Sequence, residues 1–173
     1  ALIAIAERAE LNVVDALLLR LKSEAKPERR REYADLLTRV HKRLGKRPYW
    51  GYRPPPRPAN TVSWDRTAQI EIALDGVLAD GRIRVGILGR MQREQISVRL
   101  ASLNNWLRTE RQPLGVTAIL DSLKDRSAAD IRPLIRRVIL DRDYDTDNRL
   151  AALELFSRGL DEKTEGELLA VAK

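Results

Sequence analysis

The chain has 173 residues, close to the length of one ordinary domain, and 43% of them are apolar, so it is able to bury a hydrophobic core. It contains no cysteine, one histidine and one methionine, which excludes disulfides, thiolate zinc sites, cysteine nucleophiles and covalently attached c-type haem. The formal net charge is +7, but residues 20–66 hold 14 basic and 5 acidic side chains, so the positive charge is local. This composition argues against an enzyme.

Apolar residues recur at spacings of three and four along nearly the whole chain, and no run alternates strictly as a half-buried strand would. The pattern predicts an all-α fold with helices over 2–9, 12–24, 28–44, 64–79, 82–94, 97–109, 113–125, 130–141, 147–158 and 163–172. Several helix starts carry a signal. We expect first-turn prolines at Pro27, Pro113 and Pro133, and capping side chains at Ser63, Asp130 and Asp147.

Four short segments share a pattern of a large apolar residue, a small residue and usually another apolar residue. They are residues 32–36, 84–88, 115–119 and 149–153. The last three are offset by 31 and 34 residues, and the first precedes the second by 52, which becomes about 34 when residues 46–63 are set aside as an insertion. Two helices per unit at this period predict a HEAT-like α-solenoid of stacked helical hairpins; a compact helical bundle is the alternative.

Residues 46–63 form the most unusual segment, because they hold five of the eight prolines among aromatic and basic side chains. Pro54 to Pro58 are expected to run as an extended, polyproline-like strap. One interpretation packs the aromatic side chains between the first two hairpin stacks. The other makes the segment and the basic helix before it, through Arg39, Lys42 and Lys46, a docking surface for a protein domain. The candidate partner-binding residues are Arg43, Arg47, Tyr49, Trp50, Tyr52, Arg53 and Arg57.

Basic residues interleaved with aromatic ones also suit nucleic acid, because bases stack on rings while arginines contact phosphates. A nucleic-acid-binding HEAT-like protein that uses residues 20–66 is therefore the alternative function. The positive charge is confined to one end, and the remaining repeats are slightly acidic, which disfavours a duplex laid along them.

Two further features are interpreted as structural. Asp141, Asp143, Asp145 and Asp147 alternate as in a calcium loop, but Thr146 and Ala152 stand where that loop needs glycine and glutamate. We therefore expect Asp141 to end one helix and Asp145 or Asp147 to cap the next. His41 is interpreted as a surface or half-buried residue. Core positions are expected at Trp64, Trp106, Leu103, Leu107, Ile119 and Leu123.

The segment Pro-Tyr-Trp-Gly-Tyr-Arg-Pro-Pro-Pro-Arg-Pro-Ala-Asn-Thr-Val over 48–62 and the Trp-Asp-Arg-Thr of 64–67 are distinctive. With Arg-Met-Gln-Arg-Glu at 90–94 and Asn-Arg-Leu-Ala-Ala-Leu at 148–153, the chain resembles the HEAT-repeat region of large planctomycete proteins. That family is described as membrane-bound dehydrogenases or PVC-type haem-binding proteins. Its members carry a sugar-dehydrogenase-like β-propeller before the repeats and a cytochrome c-like domain with a CxxCH motif after them.

The chain itself has neither the strands expected of a propeller nor a CxxCH motif, so the resemblance transfers no catalytic or haem-ligating residue to it. It implies a single HEAT-like domain over 1–173, part of a larger redox protein of the periplasm or cell envelope. We expect a non-enzymatic scaffold without cofactor or metal in this region, whose partners are other protein domains, possibly those of the same parent chain. No run of 18 apolar residues occurs, so no membrane insertion is expected.

Overall fold

The computed structural model describes residues 10–45 and 60–158. This part of the chain is mostly helical, with eight helices and one pair of two-residue strands, which confirms the predicted all-α class. It divides into two compact units, Ala1–Val98 and Arg99–Lys173. The predicted helices over 2–9 and 163–172 lie outside the described residues, and the assignment of 1–173 to one domain stays a prediction.

The first unit contains four of the helices, joined in the middle by a short antiparallel ladder. Its elements are α1 (Leu11–Ser23), α2 (Pro27–Val40), β1 (Arg43–Leu44), β2 (Thr61–Val62), α3 (Thr67–Val77) and α4 (Gly81–Arg93). Helix α2 packs against α1, α3 and α4, and α1 also packs against α3. The apolar stripes of these helices meet in a core that includes Val14, Leu17, Leu37, Val40, Ile70, Leu74, Ile83 and Ile87.

The second unit also contains four helices, with shorter joints between them. Its helices are α5 (Leu100–Thr109), α6 (Pro113–Asp121), α7 (Ala128–Leu140) and α8 (Thr146–Ser157). The pairs α5–α6 and α7–α8 pack as hairpins, while α5 also contacts α7 and α6 contacts α8. Its core includes four residues that the apolar spacing predicts, Leu103, Leu107, Ile119 and Leu123. Trp106 is only half-buried, against expectation, because it lies on the margin of the apolar stripe of α5.

Each unit contains one pair of helices that run parallel to each other, α2 and α4 in the first unit and α6 and α8 in the second. Arg31 of α2 lies on Gly86 of α4, and Asp35, one turn further along α2, is bonded to Arg90, one turn further along α4. In the other unit, Asn148 near the start of α8 donates to the carbonyl oxygen of Pro113 at the start of α6. Beyond the other ends of these two helices, the Arg158 guanidinium donates to the carbonyl oxygen of Lys124.

Helices α4 and α8 begin in the same way. The side chain of Asp80 accepts a hydrogen bond from the backbone N–H of Arg82, and that of Asp145 accepts one from Asp147. Four residues after each cap stands an arginine whose Nε donates to a carbonyl oxygen near the end of the preceding helix. Arg84 reaches Leu78 at 2.9 Å, and Arg149 reaches Ile139 at 3.0 Å. These arginines open two of the four segments that the sequence pattern aligns.

Helix ends agree with prediction where a local signal marks them. Pro27 and Pro113 occupy first-turn positions as expected. The prediction for Pro133 is wrong, because α7 starts earlier, at Ala128, and this proline lies inside the helix. The cap of α7 is Ser127, whose hydroxyl accepts from the N–H of Asp130, the residue expected to cap. Asp141 ends α7 and Asp145 caps α8, both as interpreted.

Two predictions at the joint between α2 and α3 need correction. The helix predicted over 28–44 ends at Val40, because Arg43 and Leu44 pair with Val62 and Thr61 as antiparallel strands. Two residues of the predicted 46–63 loop therefore belong to a ladder. Helix α3 begins at Thr67, after Arg66, and not at the Ser63 cap that the sequence suggests.

Candidate interaction surfaces

Of the predicted contact residues, only Arg43 lies in the described part of the chain. Arg47, Tyr49, Trp50, Tyr52, Arg53 and Arg57 lie outside it. The guanidinium carbon of Arg43 is 3.8 Å from the centroid of the Trp64 ring, a cation–π arrangement. Arg43 therefore has a contact within the chain, and its contact with a partner stays a prediction.

The backbone closes the proline-rich segment at its base. In the β1–β2 ladder Arg43 is opposite Val62 and Leu44 is opposite Thr61, and the N–H of Gly45 donates to the carbonyl oxygen of Asn60 at 3.1 Å. Gly45 and Asn60, the described residues that flank positions 46–59, are thus adjacent. The interpretation of residues 46–63 as an insertion between repeats stays a prediction.

Trp64 joins the end of α2 to the start of α3. Its indole Nε1 donates to the carbonyl oxygen of Val40 at 2.9 Å, and its backbone N–H donates to the hydroxyl of Thr67. That hydroxyl in turn donates to the carbonyl oxygen of His41 at 2.8 Å. The indole is half-buried, so the expectation that Trp64 is a core residue is wrong. Its ring packs at the joint between the two helices while its N–H makes a hydrogen bond.

His41 is buried, with 3% of its surface exposed, and the interpretation of this residue as surface or half-buried is wrong. The end of α2 directs its ring under α3, where Nε2 lies 2.9 Å from Oε1 of Glu71. Because a carboxylate accepts hydrogen bonds, this contact places a proton on Nε2. The Nδ1 atom is buried and has no hydrogen-bond partner among residues 10–45 and 60–158.

We name these residues, with the ladder that they support, the loop clamp: His41, Arg43, Trp64, Thr67 and Glu71. The loop clamp is not predicted from the sequence, although one signal points to it. His41, the only histidine, precedes the proline-rich segment, and Trp64 follows it. Side chains that bring the two ends of an inserted segment together are expected at such flanking positions.

A second surface lies between the parallel helices α2 and α4. They enclose a cleft of about 700 Å³. On α2 its walls come from positions 27, 28, 31, 32, 35 and 36, and on α4 from positions 82, 83, 86, 90 and 93. Each set repeats at the helical period and so occupies one face of its helix. This cleft is not predicted from the sequence, because it lies between helices whose lining residues are more than 40 positions apart.

Ion pairs organise the cleft and its surroundings. Asp35 bonds to Nε of Arg90 at 2.8 Å and to Nε of Arg39 at 3.1 Å. Burial raises the pKa of the Asp35 carboxyl, but the bonds from these two arginines outweigh burial and hold the pKa below its ordinary value of 3.8. At the rim, the hydrogen bond from Arg82 similarly lowers the pKa of Asp80.

The described residues include no group of three or more histidine, aspartate or glutamate side chains placed to hold a metal ion. None of the eight described helices is both long and apolar enough to cross a membrane.

No family model matches the chain, and searches among curated proteins and among solved structures likewise find no match.

Proposed function

We propose that the chain is a HEAT-like α-solenoid that acts as a non-enzymatic scaffold for protein–protein or interdomain contacts. The observation that supports this most strongly is the packing within each unit. First helices of successive hairpins contact each other, as do second helices, and the second helices run parallel. Stacked hairpins of this kind cover one another's apolar faces and present an extended surface for binding.

The repeated Asp80/Arg84 and Asp145/Arg149 arrangement supports the same proposal. A compact bundle has no need for the same start at the last helix of both units, whereas a solenoid repeats its joints along with its helices.

We place the main partner contact on the proline-rich segment, at Arg43, Arg47, Tyr49, Trp50, Tyr52, Arg53 and Arg57. Support comes from the composition of the segment and from the loop clamp, which brings its two ends together. Aromatic and arginine side chains are the types that dominate the binding energy of protein interfaces. A closed base also reduces the conformational entropy that the segment loses when it binds.

The family resemblance extends this proposal to a specific setting. The scaffold would hold a dehydrogenase-like module and a cytochrome c-like module in fixed relation, in the periplasm or cell envelope. Reading the full open reading frame that contains this chain tests the setting directly. We expect a propeller-coding region before it and a CxxCH motif after it, and their absence would overturn the assignment.

A binding experiment tests the contact site. The two flanking modules, expressed separately, are titrated with the chain by isothermal calorimetry, and at least one is expected to bind. The double substitution Trp50→Ala and Arg53→Glu should abolish this binding while the helical circular dichroism stays unchanged. Retention of full affinity would remove the segment from the interface.

A nucleic-acid-binding scaffold is the second candidate, favoured by the basic excess of residues 20–66 and by the Arg29–Arg31 run on α2. A gel-shift titration at several salt concentrations separates the two functions. Counterion release makes binding to phosphates fall steeply with salt, so a steep slope would favour nucleic acid. No shift at low salt would eliminate it.

A further inference from the structure

Helices α7 and α8 each have a face that no described helix covers. Both faces follow the i, i+3, i+4, i+7 spacing of a single helical stripe. We name them together the outer face, and its exposed positions are 133, 136, 137 and 140 on α7 and 150, 153, 154 and 157 on α8. Three of the eight are leucines, Leu140, Leu150 and Leu153, and the first two are 50% and 54% exposed.

The two parts of the outer face meet where α7 ends and α8 begins. The guanidinium Nε of Arg149 donates to the carbonyl oxygen of Ile139 at 3.0 Å. Leu150 and Leu140 directly follow these two residues, so both exposed leucines lie at the same end of the α7–α8 hairpin. Exposed leucines that are grouped in this way are unfavourable in water, and covering them releases free energy.

The outer face is basic on its α7 side. Arg136 and Arg137 lie one turn before Leu140 and are exposed. They form no ion pair with any residue in 10–45 or 60–158. Glu154 is the one carboxylate among the eight positions. The face therefore suits an occupant that is apolar in one part and acidic in another.

The chain that follows α8 has this composition. Residues 159–167 hold four carboxylates and one lysine, and residues 168–172 are all apolar. These positions lie outside the described residues, but the chain enters them from a described one. The backbone of Arg158 is extended, with φ −68° and ψ 122°, so the chain leaves the axis of α8 at that residue. The segment is thus tethered directly beside the outer face.

We propose that residues 159–173 dock on the outer face, antiparallel to α8, and shield its leucines from water. In this direction the helix predicted over 163–172 brings its apolar end to Leu140 and Leu150, because antiparallel helices joined by a short connection advance at the same rise per residue. Its acidic part then lies beside Arg136 and Arg137. Exposed ion pairs add little to stability, so leucine burial drives the docking and the charges set its direction.

The absence of cysteine from the chain allows engineered cysteine pairs to report this docking. Leu150→Cys combined with Ala170→Cys should form an intramolecular disulfide under mild oxidation. The control combines Ala170→Cys with Leu114→Cys, a position on α6 that is exposed and lies outside the outer face. The rates of both pairs in urea correct for their different loop lengths. After this correction the first pair should react about tenfold faster, because docking raises the effective concentration of the two thiols.

A second variant weakens the occupant and leaves the described helices unchanged. Leu168→Asp with Leu169→Asp, added to the first cysteine pair, should lower the rate of disulfide formation about tenfold, to that of the control. In the cysteine-free chain the same two substitutions should cause self-association, measured by sedimentation velocity, because the outer face then remains open to another copy. Circular dichroism establishes that the helices stay folded.

Equal corrected rates for the two cysteine pairs would overturn the proposal, as would a rate that Leu168→Asp and Leu169→Asp leave unchanged. A disulfide that joins two chains, with a rate that rises with protein concentration, would also overturn it and assign the outer face to a second copy. The proposal concerns α7 and α8 and does not rest on the scaffold function. None of these results therefore bears on that function or on the contact proposed for residues 46–63.

Discussion

The indole Nε1 of Trp64 donates a hydrogen bond to the carbonyl oxygen of Val40 at 2.9 Å, although 24 positions separate the two residues. Val40 is the last residue of α2. The carbonyl oxygens at the end of a helix receive no hydrogen bond from an N–H of the same helix. The tryptophan thus satisfies a helix end and ties it to the chain that returns from the proline-rich segment. The guanidinium of Arg43 stacks on the same ring.

Trp64→Phe keeps an aromatic ring and removes the N–H donor. We expect the free energy of unfolding to fall by about 1 kcal/mol, the usual net value of such a hydrogen bond, and more for Trp64→Ala. Urea denaturation measures the loss. Hydrogen exchange at the Gly45 amide, which closes the ladder, should accelerate in both variants.

The control for this series is Ile72→Ala on α3, because that side chain is 75% exposed and contributes little to the core. It should change the free energy of unfolding by less than about 0.5 kcal/mol. An unchanged stability of Trp64→Ala would contradict the clamp.

The pairing of Asp35 with Arg90 and Arg39 should make stability depend on pH in the acid range. The pKa of Asp35 is lower in the folded chain than its ordinary value of 3.8, so the folded state favours the charged form. This contribution is complete above pH 3.8 and is lost as the pH falls through the folded pKa. Asp35→Asn should therefore lower stability by about 1 kcal/mol at neutral pH and by progressively less in acid.

Urea denaturation of both proteins across this pH range measures the difference. Asp125→Asn is the matched control, because Asp125 is exposed and forms no ion pair with the described residues. A difference between Asp35→Asn and the parent chain that persists unchanged well below pH 3.8 would rule out the ion pairs as its source.

Arg84 and Arg149 should contribute to stability in the same way, since each donates to a carbonyl oxygen near the end of the preceding helix. Arg84→Met and Arg149→Met preserve most of the aliphatic stem and remove the charged donor. Each should reduce the free energy of unfolding by about 1.5–3 kcal/mol, with the larger loss at Arg84, which is 6% exposed.

Arg136→Met on α7 serves as the comparison, because Arg136 is exposed, and it should change stability by no more than about 0.5 kcal/mol. Calorimetric melting of the three variants provides the measurement. If only one of Arg84→Met and Arg149→Met lowers the free energy of unfolding, the starts of α4 and α8 are not equivalent parts of a repeat.

The amino-acid pattern was enough to predict the helical class, most helix positions and much of the core. Leu103, Leu107, Ile119 and Leu123 are buried because apolar spacing alone marks one face of a helix. Pro27, Pro113 and Asp145 mark helix starts through interactions within a single turn. At the start of α7 the expected cap, Asp130, is wrong, because Ser127 three positions earlier caps the helix.

The loop clamp and the cleft could not be predicted in this way. His41 is buried because α3 covers it and Glu71 accepts a hydrogen bond from its Nε2, and Arg31 lies flat because a glycine 55 positions later faces it. Local sequence carries the periodicity and the caps, since those interactions act over a few residues. Which side chain meets which across two helices depends on how the helices pack, and that is a property of the folded chain as a whole.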